Sequence, residues 1–175
     1  GEDYMHDNIK KRINIAAKRQ PADLVIKNCK IVNVFTHEII EGDIAISDGK
    51  IAAVGNYSGE KEVDAEGRYA LPGFINSHIH IESSFVSPEE FSRLVVPHGT
   101  TTIIADPHEI VNVCGMDGFD YMVKAGKNAA LDIKYMIPSC VPCTPWEHAG
   151  AVVDSKAISE VINQDKVFGM GEFMN

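Results

Sequence analysis

Two histidines one residue apart, His78 and His80, sit at the polar end of the apolar run in GFINSHIHIESS, Gly73 to Ser84. Side chains alternate across a strand, so Asn76, His78 and His80 share a face if the run is extended, and the two imidazoles converge near its end. Imidazoles so spaced can hold one divalent ion of zinc, iron or manganese type, whereas in a loop they would be surface groups only. Glu172, preceded by Gly169 and Gly171, is a carboxylate that can approach closely and bridge two cations, or else a charge at the start of a following helix. Glu82, Asp106 and His108 are the candidates for moving protons at neutral pH. Ser139 is a candidate for orienting a substrate, or for tying down its own loop.

The elements around these residues must bring them to one place. Residues 73–175 alternate β-rich runs with helical patterns: FINSHIH, then SPEEFSRLVVPHG; TTTIIADPHE, then MDGFDYMVKAGKNA; LDIKYMIPS, then a long loop and a helix from about 154 to 163; and last KVFGMGEF. Ser87, Pro88 and Glu90 form a helix-start signature, with the serine as cap and the glutamate completing a capping box. Alternation of this kind predicts parallel βα units, whose reactive residues gather at the strand C-terminal ends. Four units make half of an eight-fold barrel, and His78, His80, Asp106, His108, Ser139 and Glu172 all fall at the ends of its strands.

Residues 22–72 carry a different pattern. LVIKNCKIVNVF, IIEGDIAIS, KIAAVG and RYAL are short β-rich runs broken by Glu41-Gly42, Asp48-Gly49 and Ser58-Gly59. Asp48-Gly49 is a hairpin signal, so this stretch is expected to form a small antiparallel sheet domain closed by Pro72-Gly73. Residues 6–19 predict an amphipathic helix with Ile9, Ile13 and Ala16 on one side, ended by Pro21. The expected organisation is an N-terminal helix over 1–21, a small β domain over 22–72 and the barrel units over 73–175.

The totals narrow the function classes. A chain of 175 residues with 45% hydrophobic content supports one ordinary domain or a small domain with part of a larger one. A net charge of −9 disfavours a nucleic-acid backbone as partner, since that binding runs on basic patches. No apolar run is long enough for a membrane span and no secretory signal is visible, so a cytoplasmic location is expected. Cys29, Cys114, Cys140 and Cys143 are scattered and read as thiols, and the Cys140-x-x-Cys143 spacing lacks the second pair that a zinc site would need.

PGFINSHIHIESS, VVPHGTTTIIADPHEIVNVCG, MIPSCVPCTP and GMGEFMN, in this order and spacing, resemble the adenine deaminase family of the amidohydrolase superfamily from about Asp23 to the last residue. PGFINSHIH is shared with dihydroorotases and cytosine deaminases; HIHIESS, ADPHE and SCVP are much narrower. The resemblance implies an α/β protein, the first half of a (β/α)8 TIM-like metallo-hydrolase barrel preceded by a small β-sandwich-type domain. It implies hydrolysis of adenine, a small-molecule substrate, to hypoxanthine and ammonia, with a divalent metal pair, manganese or iron with zinc as the alternative, and a homo-oligomer. His78 and His80 match the family's strand-1 metal ligands, and Glu172 its bridging carboxylate. Asn76 stands where the family often has aspartate, and Cys143 where it commonly has alanine. The family's remaining ligands would fall beyond Asn175, so the chain is expected to be an N-terminal fragment and inactive alone. The alternatives are another amidohydrolase acting on a cyclic amide or nucleobase, and a non-catalytic half-barrel that needs a partner chain.

Overall fold

The structure is a computed structural model and describes residues 2–174. The chain divides into two compact units, Gly1–Pro72 and Gly73–Asn175.

The first unit holds helix α1 (Glu2–Ala16) and strands β1 (Ala22–Asn33), β2 (Glu38–Ser47), β3 (Lys50–Gly55), β4 (Gly59–Asp64) and β5 (Tyr69–Ala70). The strands lie in the order β3-β2-β1-β4, with β5 also against β1. The β2–β3 hairpin turns on Asp48 and Gly49 at φ 51° and 70°, the pair of positive angles that a two-residue type I′ turn requires. The sheet is mixed rather than antiparallel, because β4 and β5 both run parallel to β1. A turn dipeptide reports only the pairing of its own two strands, so these non-local pairings left no local signal. In α1 the inward face runs through Asn8, Lys11, Arg12 and Ile15, not through Ile9 and Ile13, which are 43% and 55% exposed. Ile15 is fully buried with Ala22, Val25 and Ala45, and Lys11 pairs with Asp23 at 2.8 Å. Helix α1 thus docks by one apolar anchor and an ion pair.

The second unit is a parallel sheet in the order of β6 (Phe74–Ile79), β7 (Thr100–Ala105), β8 (Asp132–Ile137) and β9 (Gly169–Met170). Its connections carry α2 (Pro88–Val95), α3 (His108–Gly126) and α4 (Ser155–Val161). Ser87 caps α2 by accepting from the Glu90 amide at 3.4 Å, while the Glu90 carboxylate pairs with Arg93 at 2.9 Å. Only the serine half of the expected capping box forms. Asp154 caps α4, accepting from the Ala157 amide at 2.9 Å. Helix α3 begins at His108, well before the pattern at Met116 suggested. Gly115, at φ 61° and ψ −144°, kinks it, so its first turn is out of phase with the rest. Ile81, Ile103, Val111, Phe119 and Ile137 are all fully buried and form the core. That core fixes the strand ends from which the polar residues project. Among the described residues no helix is long and apolar enough to cross a membrane.

Candidate metal centre

His78 and His80 leave the end of β6 on the same face, with Ile79 between them pointing the other way. Their Nε2 atoms stand 3.2 Å apart, with the rings edge to face. The two oxygens of Glu172, just beyond β9, complete the set: Oε2 is 3.4 Å from His78 Nε2 and Oε1 is 3.4 Å from His80 Nε2. These ligand atoms lie within 4.8 Å of one another. Among the described residues, Glu172 lies in irregular chain directly after β9.

The donor set fits a cation. His80 Nδ1 is 2.8 Å from the carbonyl oxygen of Asp106; a carbonyl only accepts, so Nδ1 carries the proton and the neutral ring presents a lone pair at Nε2. Such a second partner is what orients a metal-binding imidazole. His78 Nε2 and both carboxylate oxygens face the same point, so the atoms gathered there are predominantly acceptors. Asn76 lies on the same face, and its Oδ1 accepts from the His78 amide at 3.2 Å. The backbone of Glu172 is itself held: its amide donates to Asp106 Oδ2 at 2.9 Å, and its carbonyl accepts from Ser139 Oγ at 2.8 Å and from the Cys140 thiol at 3.3 Å.

The remaining predicted residues surround this group with different exposures. Asp106 and His108, 1% and 8% exposed, lie one step deeper, and their ligand atoms also gather with Glu172 within 4.8 Å. Burial pushes the Asp106 carboxyl above its usual range despite the Glu172 amide and the nearby His108. Glu82 is half-buried; its Oε1 accepts from the Ile110 amide in the first turn of α3 at 3.3 Å, and its Oε2 is buried with no partner. Burial, and then the charge of Glu109, push its carboxyl up as well. Ser139, expected to orient a substrate, spends its proton on the Glu172 carbonyl, leaving only lone pairs for anything else.

Two participants escaped the sequence reading. Glu109 sits 3.4 Å from His80 Nδ1 and accepts from Ser83 Oγ at 2.9 Å. It lies inside ADPHE, but that stretch read as strand end, which hid that Glu109 starts a helix facing back toward His80. Gly171 is the other: a Cβ there would come within 2.8 Å of Asp106 Cγ, so only glycine lets the chain pass the Asp106 carboxylate.

Residues 69–172 match the Amidohydrolase family. Among curated proteins, the chain is 62% identical over 167 residues to adenine deaminase 2 of Desulfotalea psychrophila, covering 95% of this chain and 29% of that protein. It is 53% identical over 171 residues to the adenine deaminase of Geobacillus kaustophilus, covering 98% of this chain and 30% of that protein. The chain therefore spans under a third of the length of these relatives. Among solved structures, a D-hydantoinase is similar at TM-score 0.54 and 29% identity over 69% of this chain and 28% of that one. A β-aspartyl dipeptidase from Fervidobacterium islandicum shares the fold at TM-score 0.53 and 21% identity, over 86% of this chain and 40% of that one. The second unit is accordingly part of a TIM-type hydrolase barrel.

Proposed function

The chain belongs to the amidohydrolase family, and on that premise we propose that the protein carrying it hydrolyses adenine to hypoxanthine and ammonia with a divalent metal pair, manganese or iron. The observation that carries this reading is the meeting of His78 Nε2, His80 Nε2 and the Glu172 carboxylate at one point. Identities of 62% and 53% to proteins named adenine deaminase support adenine as the substrate.

Carbon 6 of adenine belongs to an electron-rich amidine and resists neutral water. A cation at this point supplies Lewis acidity, lowering the pKa of water from about 15.7 to about 7. His78 and His80 would hold it as neutral ligands, and Glu172 would balance its charge. The backbone bonds to Asp106, Ser139 and Cys140 keep the Glu172 carboxylate aimed while its side chain does the binding. Hydrolysis also needs a proton delivered to a ring nitrogen and to the leaving amine. Glu82 suits that task best: burial raises its carboxyl, which favours the protonated form an acid needs, and its Oε2 is buried without a partner among the described residues. Asp106 and His108, the other proton-transfer candidates, each have one polar atom committed within the chain, to the Glu172 amide and to the Cys140 carbonyl.

Ammonia release by the full-length, manganese-loaded protein tests the substrate. Adenine should turn over far faster than cytosine, guanine or hydantoin. Preference for hydantoin, which the likeness to a D-hydantoinase makes the natural rival, would replace adenine with a cyclic amide.

A further inference from the structure

Resting on the cation centre read above, we propose that Glu109 is a positioning residue for His80: its carboxylate, fixed by Ser83, sets a negative charge beside Nδ1 and strengthens Nε2 as a ligand. Glu109 stands in the first turn of α3. The turn Ile81–Ser84, directly after His80, is tied to that first turn by two bonds. Ser83 Oγ donates to Glu109 Oε1 at 2.9 Å, and the Ile110 amide donates to Glu82 Oε1 at 3.3 Å. The Ser83 amide also donates to the His80 carbonyl at 3.3 Å. These contacts bring the other oxygen of Glu109, Oε2, to 3.4 Å from His80 Nδ1.

The Nδ1 proton already points to the Asp106 carbonyl at 2.8 Å, so Glu109 acts on the ring through its charge rather than as the main acceptor. A cation at Nε2 draws electron density from the imidazole and leaves Nδ1–H more positive; an anion beside that atom lowers the cost of this change. An acidic group in the first turn of a helix also complements its dipole. That role requires neither the bond from Ser83 nor the approach to Nδ1. Nor does it account for a repulsion: the charge of Glu109 helps to push the Glu82 carboxyl up, yet the Glu109 side chain, 47% exposed, does not turn away to water. Among the described residues no lysine or arginine pairs with Glu109, and His80 is the group its carboxylate is held against.

Equilibrium manganese binding by the full-length protein, read together with the imidazole nitrogen couplings of the bound ion, tests this. Glu109→Gln keeps the shape of the side chain and removes its charge. It should weaken manganese binding roughly 10-fold or more and alter the nitrogen couplings, with stoichiometry and far-ultraviolet circular dichroism unchanged. Glu109→Asp, which keeps the charge, should recover part of that loss. Ser83→Ala should weaken binding in the same direction and add little on top of Glu109→Gln, because both act through one carboxylate. Affinity within about twofold of wild type in Glu109→Gln, or equal losses in Glu109→Gln and Glu109→Asp, overturns the proposal and leaves the function above standing. Wild-type protein that binds no manganese removes the centre itself and overturns both.

Discussion

Two buried aspartates, one in each unit, are solved in opposite ways. Asp43, in the first unit, accepts from Lys27 Nζ at 2.6 Å and from the amides of Asn28 and Tyr57 at 3.1 Å. Burial alone would raise its carboxyl, but these donors outweigh it and hold the group below the usual carboxylate range. Asp106, in the second unit, is buried more deeply yet has one amide donor and one bare oxygen, and its carboxyl is pushed up. The first aspartate is finished by its own chain. The second keeps one oxygen without a hydrogen-bond partner among the described residues, and a buried carboxyl left in that state is a candidate for function rather than for structure.

The contrast can be broken most sharply at Glu172. In the full-length protein, Glu172→Ala should lower adenine turnover by on the order of 10³-fold or more, because the centre loses its only carboxylate among the described residues that faces both His78 and His80. Steady-state kinetics with saturating manganese checks this, and a loss under tenfold would count against the site. Gly171→Ala should come next, lowering manganese affinity by roughly 10–100-fold, as loss of supporting contacts does at metal centres. A methyl group there would meet the Asp106 carboxylate, so a binding isotherm should weaken while far-ultraviolet circular dichroism stays unchanged.

Asp43→Asn sharpens the comparison from the other side. It should cost about 2 kcal/mol of stability, since it leaves the ammonium of Lys27 without its anion, and it should leave manganese affinity unchanged. The sign with pH follows from the depressed carboxyl. Asp43 contributes stability above the unfolded value of 3.8, and that contribution is lost as pH falls through the lower folded value. Denaturant melts of wild type and variant should therefore differ at pH 7 and draw together only as pH falls below 3.8 and through the lower folded value. Ser139→Ala is the mildest change. Removing one of the two donors to the Glu172 carbonyl should cost about 1 kcal/mol, read as roughly a fivefold weakening of manganese binding.

The legibility of these features followed their sequence separation. His78 and His80 could be placed on one face because strand period acts over two residues, and Glu172 stood out after two glycines at a strand end. The parallel docking of β4 and β5 on β1, and the Lys27–Asp43 pair, join residues far apart in the chain and carry no local signature. Helix α3 was expected from Met116, because the apolar phase changes at Gly115; a glycine at φ 61° joins two helical pieces that no single period describes. The same phase break concealed Glu109. The buried faces of Asp106 and His108 were equally out of reach, since which of their atoms lacks a partner depends on where Cys140 and Glu172 arrive.

Electron paramagnetic resonance of manganese bound to the full-length protein bears most directly on whether His78, His80 and Glu172 grip one ion. The account predicts that wild type shows nitrogen couplings from imidazole and that the His78→Gln, His80→Gln double variant loses at least one equivalent of tightly bound manganese. Unchanged manganese stoichiometry and affinity in that double variant would contradict it.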